Sequence, residues 1–255
     1  MKPVVIWTPP YNPLSGGIIA LHRLCQELRN LGQDAYINVA GCGLNTPTWH
    51  GETNDFTAIY PEIVFGNPLN ATKVVRWVLN KPGKIGGPLE YPGEIVFSHS
   101  KLYLEVPENR YLSYPNLETD IFIDKHLERT YPLVYIGKGS NTPRVPETNG
   151  IREITRSNCL NKPELTEIFN HATVLYNYDV ITAITDMARL CGCPVCLIPD
   201  GEYPKETYKP ELGMNGLGWY GDKIEIDSDK FRKSYLNLFK QFKKQLLNLI
   251  KAINE

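Results

Sequence analysis

An aspartate at the end of an apolar run, followed within three residues by a helix start, can serve a phosphorylated sugar. Asp179 closes the run Thr173–Tyr178, and Ile181 and Thr182 open the next helical pattern. A carboxylate there can accept hydrogen bonds from sugar hydroxyls. The helix N-terminus, with its free N–H groups and positive dipole end, can hold phosphate oxygens. Asp179 also suits an ordinary helix N-cap, and the two roles are compatible. Gly137-Lys138-Gly139 follows another apolar run, Leu133–Ile136. A lysine between glycines at a strand end suits either a phosphate or a solvated turn. Ser15-Gly16-Gly17 runs straight into a helix. It fits a tight strand–helix turn or a loop that lets an anion approach the backbone. It matches neither GxGxxG nor the Lys-Ser/Thr ending of a P-loop, which counts against an NAD(P)-dependent oxidoreductase. His99 and Glu62 each follow a strand pattern, where a proton acceptor or an acceptor-facing group would sit. Trp49-His50 and Trp219-Tyr220 can stack on a sugar or pack a loop.

The elements that must position these groups alternate. Pro3–Trp7 is a strand pattern. Leu21, Leu24, Cys25, Leu28 and Leu31 fall on one helical face, Gly32 supplies a stop, and Ala35–Val39 is a second strand. Phe56–Tyr60, Glu94–Phe97 and Arg110–Tyr114 are further strand candidates. The spacing of Ala71, Val74, Val75 and Val78 predicts a helix over Ala71–Leu79. After a polar connection at Pro115-Asn116 the pattern restarts. Strands are predicted at Leu133–Ile136, Thr173–Tyr178 and Val195–Ile198. Helices are predicted from Lys162 and over Ile181–Cys191, with a long loop over Asp200–Gly221. Ser228–Asn254 is an amphipathic helix with Phe231, Tyr235, Leu238, Phe242, Leu246 and Leu249 on one side and lysines opposite. This order predicts an α/β protein of two Rossmann-like, doubly wound domains. They span 1–122 and 123–227, and the helix 228–255 follows them.

The 255 residues carry 27 Lys and Arg against 28 Asp and Glu, so no dedicated nucleic-acid partner is expected. No run approaches the roughly 18 apolar residues of a membrane span, and the address expected is cytoplasmic. The final helix keeps peripheral membrane contact open. Cys191, Cys193 and Cys196 are close enough to raise a metal site, but no fourth ligand accompanies them. They read as small apolar side chains of a buried strand.

The run Tyr178-Asp179…Thr182-Ala183…Ala188…Cys191-Gly192-Cys193-Pro194-Val195 resembles the donor-binding segment of GT-B glycosyltransferases, in particular the group like glycosyltransferase family 4. Ser15-Gly16-Gly17-Ile18 looks like that family's first loop and helix, and Tyr135–Gly139 like the start of its donor domain. The resemblance covers most of the chain, thinning over 46–55 and after Asp200. It implies transfer of a sugar from a nucleotide diphosphate sugar, held in a cleft between the halves, to a hydroxyl acceptor, with no cofactor and no metal; residues 1–122 would form the acceptor side and 123–227 the donor side, with helix 228–255 packing at their junction. By position it places Asp179 on the donor sugar. The Ile181 and Thr182 amides and Lys138 would hold the diphosphate, with Gly16-Gly17 approaching from the other side. The family's second carboxylate, eight positions after Asp179, is here Met187. Asp186 is adjacent but points about 100° away on a helix. A binding subunit without catalysis is the alternative that this departure suggests.

Overall fold

Three buried β-branched residues make β1 (Val4–Ile6), as a strand covered on both faces requires. The computed structural model describes residues 2–12, 15–39, 44, 46–139, 141–155 and 161–255. β1 leads into α1 (Gly16–Asn30), which buries Leu21, Leu24 and Leu28. The chain leaves α1 through Gly32, at φ 79°, in the left-handed conformation that glycine adopts without penalty. Four strands follow: β2 (Ala35–Ile37), β3 (Thr57–Pro61), β4 (Lys73–Val78) and β5 (Ile95–Ser98). All are parallel, in the order β2-β1-β3-β4-β5.

The helix predicted over Ala71–Leu79 is instead strand β4. Its valines are β-branched, and its apolar residues are buried on both sides of the sheet. Spacing of three and four then mimics a helical face. Val75 and Trp77 join the core beneath α1, while Val74 packs on the opposite face. The strand predicted over Arg110–Tyr114 reduces to a bridge between Tyr111 and Ser98, preceded by a 3-10 turn at Glu108–Arg110.

The second sheet contains β6 (Tyr131–Tyr135), β7 (Glu153–Ile154), β8 (Ala172–Asn177), β9 (Val195–Leu197) and β10 (Leu217–Trp219). Its order is β10-β9-β8-β6-β7, again all parallel. Counted within its own unit, each sheet therefore reads second-first-third-fourth-fifth. α2 (Lys162–His171) and α3 (Ala183–Leu190) flank β8. A capping box starts α2, in which Asn161 and Glu164 bond each other's backbone N–H, with Pro163 in the first turn. The predicted loop Asp200–Gly221 contains β10, an edge strand of three residues.

The chain divides into two compact units, one of Met1–Asn116 with Leu238–Glu255 and one of Leu117–Asn237. α4 (Ser228–Asn254) is continuous across that division. Within the second unit its Tyr235 hydroxyl accepts from Leu117 N at 3.0 Å. Within the first, Phe242, Leu246 and Leu249 complete the core formed by α1 and one face of the sheet. Among the described residues, no helix is long and apolar enough to cross a membrane.

Candidate functional site

In open parallel sheets, ligands bind beyond the carboxyl ends of the strands, where the strand order reverses. In the second unit that point lies between β6 and β8. The Gly137-Lys138-Gly139 turn and Asp179 meet there. Asp179 is 4% exposed and its Oδ2 accepts from Lys138 N at 3.1 Å. The Lys138 ammonium lies 3.4 Å from Asp179 Oδ1 and donates to Ile181 O at 2.8 Å. An ammonium has three donors, and among the described residues two of them are engaged; the side chain is 25% exposed.

The two glycines have a packing role here. A Cβ on Gly137, at φ 52°, would lie 2.5 Å from Asp179 Oδ2, and one on Gly139 would lie 2.0 Å from Tyr178 O. Only a turn without side chains can press Lys138 onto the end of β8. Asn177, fully buried, fixes that end from below. Its Nδ2 donates to Thr185 Oγ1 at 2.8 Å and its Oδ1 accepts from Asp179 N at 2.9 Å.

The N-cap of α3 is Thr182, and its hydroxyl makes no capping bond to the helix. The N-cap position is thus not Asp179, whose carboxylate bonds both the backbone and the ammonium of Lys138. Asp186, in the first turn of α3, bonds Arg189 at 3.1 Å. Arg189 is 1% exposed, donates to Gly213 O and Asn215 O at 2.8 Å each, and lies 3.8 Å over the Phe231 ring. Burial pushes the Asp186 carboxyl above the usual carboxylate range, while the Arg189 charge opposes that.

Beside this edge, in the segment Asp200–Gly221, runs a tier of aromatic rings of which the sequence singles out only Trp219. Tyr203 packs edge-on against Tyr208, and Tyr208 against Trp219. Asp200 Oδ1 accepts from Glu202 N and Tyr203 N, holding the turn after β9. The Tyr208 hydroxyl reaches Val180 O at 3.4 Å. Burial pushes the Tyr203 phenol up, helped by the charges of Glu202, Asp200 and Asp179. Three tyrosines and a tryptophan in a Gly/Pro-rich segment, Asp200–Gly221, were the available signal.

The same edge of the first unit has different chemistry. Gly16 and Gly17 are the first two residues of α1, and a Cβ on Gly16 would meet the Asn116 side chain at 2.8 Å. His22, buried within α1, lies with Nε2 3.2 Å from Pro9 O and its ring edge-on to Tyr11. Its Nδ1 has no partner among the described residues, and desolvation lowers its pKa. His22 thus holds the loop after β1, a role the helical pattern alone did not show. Glu62 and His99 flank the end of β4. Glu62 is 2% exposed and its Oε2 accepts from Leu79 N at 2.9 Å. Burial pushes its carboxyl up. His99 N donates to Val78 O at 2.8 Å, and its Nε2 lies 3.2 Å from Tyr114 O.

The structure thus gathers Lys138, Asp179, Ile181 and Thr182 at one point and engages Asp186 elsewhere. It sets Glu62 and His99 on either side of one strand end in the first unit. Trp49 packs between Tyr36 and Phe56, and Trp219 lies in β10. Burial pushes the Cys191 and Cys193 thiols up to about 12 and that of Cys196 up to about 11. Among the described residues, no group of three or more His, Cys, Asp or Glu could hold a metal ion. Cys42 and Cys159 lie outside the described residues. A concavity of about 290 Å³ lined by Tyr131, Pro132 and Gly150–Arg152 lies where β6 begins, at the opposite edge from Lys138.

No family model matches the chain, and no curated protein matches it. Among solved structures it is similar to the glycosyltransferase SnogD from Streptomyces nogalater, at 11% identity and a TM-score of 0.44, over 99% of this chain and 98% of that one. It is also similar to the spinosyn forosaminyltransferase SpnP, at 12% identity and a TM-score of 0.45, over the full length of both chains.

Proposed function

We propose that the protein transfers a sugar from a nucleotide diphosphate sugar to a hydroxyl acceptor, as a GT-B type glycosyltransferase. One observation carries the reading: an ammonium held at the strand-order reversal beside a helix whose N-terminus its own side chain leaves uncapped. Breaking the bond from sugar to diphosphate builds negative charge on the leaving oxygens. Lys138 and the first amides of α3 would stabilise that charge from fixed positions. In this reading Asp179 acts mainly by setting the Lys138 ammonium in place, and its carboxylate meets the donor sugar only at its exposed margin. Such cationic groups let the reaction proceed without a cofactor or metal. Glu62, with its raised carboxyl, and His99 are the proposed proton acceptors for the incoming hydroxyl.

Calorimetry with UDP, GDP and dTDP tests the donor site. At least one should bind, and Lys138→Ala should weaken it by about tenfold to a hundredfold, the worth of a hydrogen bond to a charged group. If none binds, the proposal fails. The engagement of Asp186 by Arg189 favours a second reading, a binding subunit that does not catalyse. Binding without transfer or hydrolysis would select it.

A further inference from the structure

α4 presents two faces that serve different purposes. Within the first unit, Phe242, Leu246 and Leu249 are each 3% exposed or less and belong to the core. Opposite them, Lys240, Lys243, Lys244, Leu247 and Lys251 recur at spacings of three and four, which stacks them along one side. All five are exposed, and Leu247 is 59% exposed. The core does not need this leucine, and water penalises it. Phe239, at 37%, lies at the margin of the same face.

Charge sharpens the contrast. α4 holds seven Lys and Arg against one acid, Asp229, in a chain of 27 basic and 28 acidic residues, so the remainder is acidic on balance. Among the described residues, no ion pair engages Lys240, Lys243 or Lys244, while Lys251 lies 3.6 Å from Glu255. We propose that this face of α4 is a docking surface for a bilayer bearing anionic headgroups. The lysines would lie among the headgroups, and Leu247 would enter the acyl boundary. A nucleic acid would use the lysines but gain nothing from a leucine between them, so the mixed face favours lipid.

Sedimentation with vesicles tests this surface independently of the donor site. The protein should bind mixed phosphatidylglycerol and phosphatidylcholine vesicles, not phosphatidylcholine alone, and binding should fall with added salt. Each lysine near an anionic surface is worth about fivefold, so replacing Lys240, Lys243 and Lys244 by Gln should lower partitioning about a hundredfold. Leu247→Gln should lower it about tenfold, the worth of a buried aliphatic side chain. Because these side chains are exposed, melting temperature should not change. No sedimentation of wild type with anionic vesicles would overturn the proposal. So would equal binding by the triple variant, or retention of RNA by a protein that leaves the vesicles unbound.

Discussion

In the first unit, α1 and the end of α4 cover the sheet face made by Val4, Ile6, Ile59 and Trp77, whereas Val5, Ala58 and Tyr60 on the other face meet strand and loop residues. In the second unit, α2 and α3 follow β7 and β8, and the face of Val134, Tyr178 and Cys196 is covered by loop residues Val145 and Ile151. The strand order is the same in both. Right-handed connections place the first crossover on one face of such a sheet and the later ones on the other. The first unit keeps a helix in its first crossover, and the second keeps helices in later ones. A crossover without a helix must satisfy its carbonyls by other means.

Each unit meets that demand with a buried arginine. Arg76, on β4, donates to Pro61 O and Val64 O at 2.9 and 2.7 Å, to Gly66 O at 3.2 Å and to both carboxylate oxygens of Glu94. Its guanidinium lies 5.3 Å from the Tyr60 ring centroid and 5.2 Å from that of Tyr91. Those carbonyls lie at or after the end of β3, in the helix-free link to β4, and Glu94 directly precedes β5. Arg189 does the same for the link between β9 and β10 through Gly213 and Asn215. The comparison teaches that losing a crossover helix shifts the structural burden onto one multidentate side chain.

The largest expected effect follows from that. Arg76→Met should cost about 3–5 kcal/mol, because it strands buried carbonyls and a carboxylate. Arg189→Met should cost less, about 2–3 kcal/mol, since it leaves fewer acceptors and the Asp186 side chain is 29% exposed. Urea unfolding of both variants measures the difference. Equal losses would break the parallel as drawn.

A smaller effect concerns Glu62, whose folded carboxyl is raised by burial above its unfolded value. The folded state then holds this proton more tightly than the unfolded chain. Its stabilising contribution is complete below the unfolded pKa and is lost as pH rises through the folded one. Glu62→Gln removes that dependence, so the variant should gain on wild type between acid and neutral pH. A pH series of melting curves checks the sign. If Glu62 also accepts the proton of the acceptor hydroxyl, the same variant loses transfer while keeping its fold.

The smallest effect compares two helix starts within the second unit. Asn161→Ala breaks a complete capping box and should cost about 1 kcal/mol. Thr182→Ala, at a cap without a side-chain bond, should cost less than about 0.5 kcal/mol. Equal costs in thermal unfolding would mean that the start of α3 is closed by its own side chain, and the anion site would lose its main support.

These contrasts explain what could be read from the residues. The unit β1-α1-β2 was legible because Leu21, Leu24 and Leu28 repeat on one face and Gly32 stops the helix. α4 was legible to its end residues, because a long stripe averages out local ambiguity. The partners of Lys138 were half legible: the turn and Asp179 stood out as strand ends, but their direct bond joins positions 41 residues apart. β4 was misread because burial on both faces erases the alternation that marks a strand. Arg76 and Arg189 gave no signal, because they bond backbone carbonyls, and a carbonyl is present at every residue.

The division of α4 between the units has a consequence for synthesis. The second unit, Leu117–Asn237, is one continuous stretch of chain, whereas the first takes Leu238–Glu255 from the far end. As the polypeptide emerges from the ribosome, the strands β1–β5 appear first but lack Phe242, Leu246 and Leu249 for their core. The later-made unit has all its parts before Leu238–Glu255 is added. The half that is made first is therefore completed last, and a chain cut short after Asn237 would hold every part of the second unit but an open first one. Limited proteolysis of such shortened chains would cut first between β1 and β5.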